Sequence, residues 1–128
     1  MNKKILLVED DDAFRASLEL MLSREYEVHE AKSLNTAVKL MQQNNYDLVQ
    51  TDGALPDHDG GIVGNHGVLS ENDYRGNEVA KFAKEKGYRV IGMSMEPERL
   101  TEPDMVMSKK GLDVIEYVDM IKQYVEEK

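Results

Sequence analysis

Short, continuous apolar runs alternate with apolar stripes at helical spacing along this chain, and this alternation constrains the fold most strongly. The first run covers residues 5–8, and the stripe that follows consists of Phe14, Leu18, Met21 and Leu22. A continuous apolar run of this length favours a strand that is buried on both faces, as in parallel sheets. The stripe favours a helix that packs one face against such a sheet.

The alternation continues to the end of the chain. Strands are predicted at residues 5–8, 26–31, 46–51, 89–94 and 104–108. Helices are predicted to begin at the N-cap residues Asp12 and Ser33, near residue 77 and near residue 114, with room for about two more helical turns at residues 96–102. Five strands alternating with helices predict a parallel sheet covered on both faces, in a single domain over residues 1–128.

Residues 53–76 interrupt this rhythm, because they carry six glycines and Pro56 among several Asp and Asn residues. That composition predicts a loop. A loop of this length inside a compact domain is usually functional or mobile. Its glycines do not form a phosphate-binding P-loop, since no Gly-Lys-Ser/Thr sequence follows them.

Charge and cysteine content exclude several classes of function. The chain has 25 acidic and 16 basic side chains, and its net charge of −9 repels nucleic acid and anionic lipid. We therefore expect neither a nucleic-acid partner nor a membrane partner. Without cysteine, the chain has no disulfide, catalytic thiolate or Cys-ligated zinc. No apolar stretch has the length of a signal sequence or a membrane span, so we expect a cytoplasmic protein.

Polar and charged side chains follow the predicted strands at the edge where open parallel sheets bind ligands. Glu9, Asp10, Asp11 and Asp12 follow strand one, Asp52 follows strand three, Ser94 ends strand four, and Lys109 follows strand five. Clustered carboxylates without His or Cys favour Mg²⁺, which prefers oxygen ligands and orients phosphate oxygens. An ammonium and a hydroxyl can each pair with a phosphoryl oxygen. The set predicts phosphoryl transfer onto a carboxylate, with Asp52 as the nucleophile.

These residues resemble the receiver domain of two-component response regulators. The resemblance rests on residues 5–11 (Ile-Leu-Leu-Val-Glu-Asp-Asp), residues 47–52 (Asp-Leu-Val-Gln-Thr-Asp), Pro56 four positions later, Ser94 and Lys109. It extends over nearly the whole chain. It implies a doubly wound α/β fold with five parallel strands in the flavodoxin-like order 2-1-3-4-5.

The resemblance also implies a function and a set of site residues. The ligands implied for Mg²⁺ are Glu9, Asp10, Asp52 and the Ala54 backbone carbonyl, with Asp11 as an alternative acid. Asp52 is the implied phosphoacceptor, Ser94 the switch hydroxyl and Lys109 the phosphate-pairing lysine. The chain is expected to be a stand-alone receiver and not an enzyme, with at most slow self-dephosphorylation. It would accept its phosphoryl group from a histidine kinase or a histidine phosphotransfer protein and act on a downstream protein partner.

The chain departs from the family pattern in several places. The family's Pro-x-x-Asp-Gly turn leads directly into a helix, whereas here residues 57–75 form an enlarged, Gly-rich loop before a helix start at Gly76. The fourth helix is shortened to a stub. Val106 replaces the aromatic switch residue, Met95 replaces a small residue after the switch hydroxyl, and Lys110 replaces a proline.

Two other functions remain open at this stage. A pseudo-receiver would keep the acidic pocket and bind proteins independently of phosphorylation, because Met95, Val106 and the stub alter the switch. A Mg²⁺-dependent phosphatase of a related fold would need a second acid two residues beyond its nucleophile, where this chain has Ala54. The loop at residues 57–75 is either a lid or docking element beside Asp52 or a passive insertion.

Overall fold

A computed structural model describes residues 3–64 and 68–127, and so includes the loop at residues 57–75 except for residues 65–67. The strands are β1 (Lys4–Val8), β2 (Glu27–Ala31), β3 (Leu48–Asp52), β4 (Arg89–Ser94) and β5 (Met105–Ser108). The α-helices are α1 (Asp12–Leu22), α2 (Leu34–Gln43), α3 (Gly76–Glu85) and α4 (Val114–Glu126). Single 3₁₀ turns lie at Glu71–Asp73 and Pro97–Arg99.

The strands form one parallel sheet in the order β2-β1-β3-β4-β5. Val8 pairs with Thr51 on β3, and Asp52 pairs with Met93 on β4. The carboxyl ends of neighbouring strands therefore lie level at one edge of the sheet. The predicted α/β fold and the strand order are both confirmed.

Two apolar cores explain why residues 5–8 are apolar without interruption. Ile5 and Leu7 pack in the core beneath α1 and α4, whereas Leu6 and Val8 pack in the core beneath α2 and α3. Successive side chains of a strand point to opposite faces, so a strand covered on both faces requires apolar residues at every position.

The N-cap of α1 is one residue earlier than predicted. Asp11 is the N-cap, because its Oδ1 accepts a hydrogen bond from the Phe14 N–H at 3.1 Å. Asp12 is already helical and pairs with Arg15 at 2.7 Å. The acidic run offers adjacent candidates for the cap, and the local backbone decides between them. Ser33 caps α2 as predicted.

The stub between β4 and β5 is shorter than the two turns predicted for residues 96–102. It is a single 3₁₀ turn, after which the chain returns to the sheet. Leu100 and Pro103 are buried, and both would meet a methyl group placed on Gly92 of β4 at less than 3 Å. This close packing on the β4 backbone leaves room for only one turn.

The described part of the inserted segment, residues 57–75, is held at both ends. Near its start, Asp59 Oδ1 accepts a hydrogen bond from the Ser33 hydroxyl at 2.6 Å, at the N-terminus of α2. At its end, Arg75 Nε lies 2.6 Å from an oxygen of Asp57. The last turn of the segment then leads into α3 at Gly76, where the sequence places the helix start.

Candidate functional site

Three charged side chains converge where β1, β3 and β5 end. Lys109 Nζ lies 3.0 Å from Glu9 Oε1 and 3.0 Å from Asp52 Oδ2. Glu9 directly follows β1 and is fully buried, and Asp52 is the last residue of β3 and is 8% exposed. The structure therefore brings together three of the residues that the strand ends indicate.

The charges of this cluster influence one another strongly. Burial raises the pKa of Glu9 to about 9, and the neighbouring Asp52 adds to the rise while Lys109 opposes it. Burial alone would lower the pKa of Lys109, but Asp52 and Glu9 outweigh it, so the pKa is raised. The pocket thus holds a fixed ammonium between two carboxyl groups that repel each other.

Asp10 and Asp11, the next two acids along the chain, have different surroundings. Partial burial raises the pKa of Asp10, and the charge of Asp52 adds to the rise, so the two carboxyl groups lie within electrostatic reach of each other. The Asp11 carboxylate instead accepts the Phe14 N–H at the start of α1. The electrostatics of Asp10 and the capping role of Asp11 therefore favour Asp10 over Asp11 as a third acid beside Glu9 and Asp52.

Ser94 ends β4 beside this cluster and is 2% exposed. Its hydroxyl oxygen accepts the Glu96 N–H at 3.0 Å, and its carbonyl accepts the Lys109 N–H at 2.9 Å. A methyl group on Gly53 would lie only 2.9 Å from the Ser94 hydroxyl oxygen, so the two residues are in close contact. Ala54 follows Gly53 and is half-buried.

The structure describes the surroundings of three positions at which the chain departs from the family pattern. Met95 is 53% exposed and lines a shallow cavity together with Phe14 and Lys109. Val106 on β5 is half-buried. The peptide bond between Lys109 and Lys110 is trans, since no peptide bond among the described residues is cis.

Sequence reasoning missed two residues that contact the end of β3. Tyr74, in the last turn of the inserted segment, is 4% exposed, and its ring would lie 3.1 Å from a methyl group on Gly53. Gly76 donates its N–H to the Gly53 carbonyl at 3.0 Å. The available signal for Tyr74 was its position as the one aromatic residue in a glycine-rich loop.

A group of buried polar side chains lies close to the acids. Among the residues that the structure describes, Glu9 Oε2, both polar atoms of the Gln50 side chain and the Tyr117 hydroxyl are buried without a hydrogen-bond partner. Burial raises the pKa of Tyr117, the neighbouring Gln50 side chain opposes the rise, and the charges of Glu9 and Asp52 add to it. The sequence contains a signal for Gln50, because it is a polar residue directly after apolar residues within a predicted strand.

Comparison with known proteins identifies the first half of the chain by sequence. The model of the response regulator receiver domain family matches residues 5–65. The transcriptional regulatory protein SrrA of Staphylococcus aureus is 41% identical over 61 residues, which are 47% of this chain and 25% of SrrA. The matched part thus spans about a quarter of the length of that curated relative.

Comparison of structures extends the likeness to the whole fold. A CheY-like receiver domain protein from Methanospirillum hungatei superimposes with a TM-score of 0.70 at 20% identity, covering 98% of this chain and 95% of the other. The receiver domain of the hybrid histidine kinase CckA gives a TM-score of 0.68 at 25% identity, with 96% and 99% covered. The sequence match of residues 5–65 and the fold of the whole chain together support a response-regulator receiver domain.

A third receiver domain was solved with a metal ion. It belongs to a sensor histidine kinase of Pseudomonas aeruginosa, has magnesium coordinated in its active-site cleft, and superimposes with a TM-score of 0.72 at 17% identity, covering 99% of this chain and all of the other. Receiver domains bind Mg²⁺ in this cleft and are generally phosphoacceptors rather than true enzymes.

Two features of the described residues bear on what this chain can bind. Within residues 3–64 and 68–127, no three His, Asp or Glu side chains converge closely enough to enclose a metal ion by themselves. No helix in the same part of the chain is long and apolar enough to cross a membrane. A metal at the acidic pocket would therefore rely on few protein side chains.

Proposed function

We propose that this receiver domain accepts a phosphoryl group on Asp52 in a Mg²⁺-dependent reaction and so transmits a signal. The observation that carries the proposal is the position of Lys109, whose ammonium lies 3.0 Å from both Asp52 and Glu9. The nucleophile, a second acid and a fixed cation thus meet at the strand ends. Such an arrangement supplies the positioning and charge neutralisation on which phosphoryl transfer depends.

The residues of the pocket have distinct roles in this reaction. An oxygen of Asp52 attacks the phosphorus of a phosphohistidine, and the P–N bond breaks. The electron pair of that bond returns to the imidazole nitrogen, which is then protonated from solvent. Lys109 pairs with a phosphoryl oxygen, and the Ser94 hydroxyl donates to another after leaving its bond with the Glu96 N–H.

The pocket also suits Mg²⁺. Glu9 Oε2 is buried and, within the described residues, has no hydrogen-bond partner, and burial together with the charge of Asp52 raises the pKa of both Glu9 and Asp10. Mg²⁺ commonly binds through one or two carboxylates and keeps several waters, so no closed cage is needed. We assign its ligands to one or two of the acids Glu9, Asp10 and Asp52 together with the Ala54 carbonyl, and the remaining ligands to water, because no three acidic side chains among the described residues enclose a metal ion by themselves. When bound, the ion neutralises charge on the transferring phosphoryl group.

Receiver domains interact with histidine kinases and with downstream effectors. For this chain we propose a histidine kinase or a histidine phosphotransfer protein as the phosphoryl donor, and a protein as the downstream partner. The net charge of −9 supports neither nucleic acid nor a membrane surface as a direct partner.

Incubation with acetyl phosphate tests the function without knowledge of the kinase. Intact-mass measurement is expected to show one added phosphoryl group in the presence of Mg²⁺ and none in the presence of EDTA. Asp52→Asn is expected to remain unmodified, whereas the matched control Asp119→Asn, which alters an exposed carboxylate on α4, is expected to react like the parent. An unmodified parent, or an Asp52→Asn variant that reacts at the parent's rate, would overturn the proposal.

The alternative is a phosphorylation-independent protein-binding module. It is favoured by two observations: Lys109 already pairs with both Glu9 and Asp52, and Met95 stands exposed at the mouth of the pocket beside Lys109. A parent protein that stays unmodified, and whose amide spectrum does not change with Mg²⁺ and beryllofluoride, would favour this alternative.

A further inference from the structure

The inserted segment delivers one aromatic side chain to the site. Tyr74 is 4% exposed and forms a parallel bridge with Leu55, three residues beyond Asp52. The bridge is supported by the Leu55 N–H, which donates to the Asp73 carbonyl at 3.0 Å. The ring of Tyr74 packs where a side chain on Gly53 would otherwise lie. Only a glycine at position 53 allows this approach, because a methyl group would meet both Tyr74 and Ser94 at about 3 Å.

Tyr74 and Ser94 are joined through Glu96. The Tyr74 hydroxyl donates to Glu96 Oε2 at 3.0 Å, and the Glu96 N–H donates to the Ser94 hydroxyl oxygen at 3.0 Å. Burial raises the pKa of Tyr74, and the nearby Ser94 hydroxyl acts in the opposite direction, so the two hydroxyl groups are close neighbours. The ring on one side and the N–H on the other thus hold the Ser94 side chain.

Arg99 extends this arrangement to the surface. Its guanidinium lies 4.2 Å from the centre of the Tyr74 ring and pairs with Glu96 at 3.1 Å. The other arm of the guanidinium donates to the Leu69 carbonyl at 3.0 Å, within the inserted segment. An unbroken series of contacts therefore runs from Ser94 through Glu96, Tyr74 and Arg99 to Leu69.

We propose that Tyr74 is a positioning residue that holds the Ser94 hydroxyl in its resting orientation and links that orientation to the inserted segment. The inference rests on the proposed function, because it concerns the orientation that Ser94 takes when Asp52 carries a phosphoryl group. In this proposal the Ser94 side chain rotates to bring its hydroxyl to the phosphoryl oxygens, and the rotation carries the hydroxyl oxygen away from the Glu96 N–H. Its departure removes one partner of Glu96, which weakens the contacts of Tyr74 and Arg99 and releases the Leu69 carbonyl.

Binding of beryllofluoride, which mimics the phosphoryl group on a carboxylate, measures the effect of Tyr74. Tyr74→Phe removes the hydrogen bond to Glu96 and keeps the ring. Because the resting orientation loses one hydrogen bond, we expect this variant to bind beryllofluoride with Mg²⁺ about three- to tenfold more tightly than the parent. Tyr88→Phe is the matched control, since the Tyr88 hydroxyl bonds to the Asn44 carbonyl away from this site, and its affinity should equal that of the parent.

Amide hydrogen exchange provides a second readout that separates this role from a purely structural one. In the parent, beryllofluoride is expected to speed exchange of the Glu96 N–H and of residues 69–74. In Tyr74→Phe, these amides are expected to exchange faster before beryllofluoride is added, and the further increase should be smaller.

The outcomes distinguish the two levels of the account. A parent that does not bind beryllofluoride contradicts the proposed function and, with it, this inference. A parent that binds, together with a Tyr74→Phe variant of equal affinity and equal exchange, overturns the role of Tyr74 alone. A general loss of protection throughout Tyr74→Phe would assign the residue to stability and would likewise overturn the positioning role.

Discussion

Gly76 lies so close to the main chain of Asp52 that a methyl group in place of its hydrogen atom would overlap the Asp52 carbonyl oxygen. The Gly76 N–H also donates to the Gly53 carbonyl at 3.0 Å. The first turn of α3 is therefore built directly against the end of β3. The inserted segment places the start of α3 later in the sequence. In the fold, however, the first residue of α3 still packs against Asp52, the proposed phosphoacceptor.

Gly76→Ala is expected to lower the free energy of unfolding by about 1–3 kcal/mol, because the overlapping atoms belong to the backbone of β3 and cannot rotate away. This loss should exceed the gain in helix propensity, which is at most about 1 kcal/mol. Urea denaturation followed by circular dichroism measures the change. The control Lys81→Ala, at an exposed position of α3, should stay within about 0.5 kcal/mol of the parent. Equal stability of Gly76→Ala and parent would contradict the packing described here.

Ser33→Ala is expected to cost about 0.5–2 kcal/mol, because Ser33 accepts the Thr36 N–H as the N-cap of α2. Ser33 also donates to Asp59, and the hydrogen bonds from Ser33 and Thr36 lower the pKa of Asp59. A carboxyl group with a lowered folded-state pKa contributes stability above its unfolded-state pKa, and this contribution is lost as the pH falls through the folded-state pKa.

The cost of Ser33→Ala should therefore be largest near neutral pH and should shrink below about pH 4. Denaturation curves at several pH values measure this dependence. The exposed Ser23→Ala at the end of α1 is the control. A cost for Ser33→Ala that does not vary with pH would mean that the bond to Asp59 contributes nothing.

Local sequence patterns were sufficient to predict the sheet and most of its helices. The uninterrupted apolar run at residues 5–8 indicates a strand that is buried on both faces. The spacing of Leu18 and Leu22 indicates a helix that is buried on one face. The order of the strands needed the resemblance to a known family, since periodicity does not determine which strands are neighbours. Lys109 beside Glu9 and Asp52 followed from that order, because parallel strand ends meet at one edge.

The contacts that sequence could not supply are those between distant segments without periodic structure. Tyr74 lies in a loop, and its burial depends on the absence of a side chain at Gly53, 21 positions earlier. The 3₁₀ turn at Pro97–Arg99 ends early because Leu100 packs against Gly92 on β4. The spacing of the prolines in the sequence does not reveal this contact. Such contacts are set by the assembled fold rather than by neighbouring residues.

Mg²⁺ should raise the melting temperature of the parent protein, because a ligand that binds only the folded state stabilises it. At a concentration of 100 times its dissociation constant, the ion is expected to contribute about 2.7 kcal/mol. Asp52→Asn should lose most of this gain, whereas Asp119→Asn should keep it. Differential scanning fluorimetry with increasing MgCl₂ measures the effect, and an equal shift in Asp52→Asn would place the ion elsewhere.

Met95→Ala should accelerate phosphorylation by acetyl phosphate about three- to tenfold, which corresponds to roughly 0.7–1.4 kcal/mol of activation free energy. The reason is steric, since Met95 stands at the mouth of the pocket beside Lys109. Met105→Ala, which shortens another exposed methionine at the start of β5, is the control and should leave the rate unchanged. An unchanged rate in Met95→Ala would show that the side chain does not hinder the donor.

The most direct test of the central claim is to locate the modified residue. The protein is treated with acetyl phosphate and Mg²⁺ and then with borohydride, which reduces an aspartyl phosphate to homoserine, and tandem mass spectrometry of the peptides finds the converted position. We predict homoserine at position 52 and unchanged aspartate at Asp10, Asp11 and Asp57. Conversion at one of those three positions instead of Asp52, or no conversion in any peptide, would contradict the account.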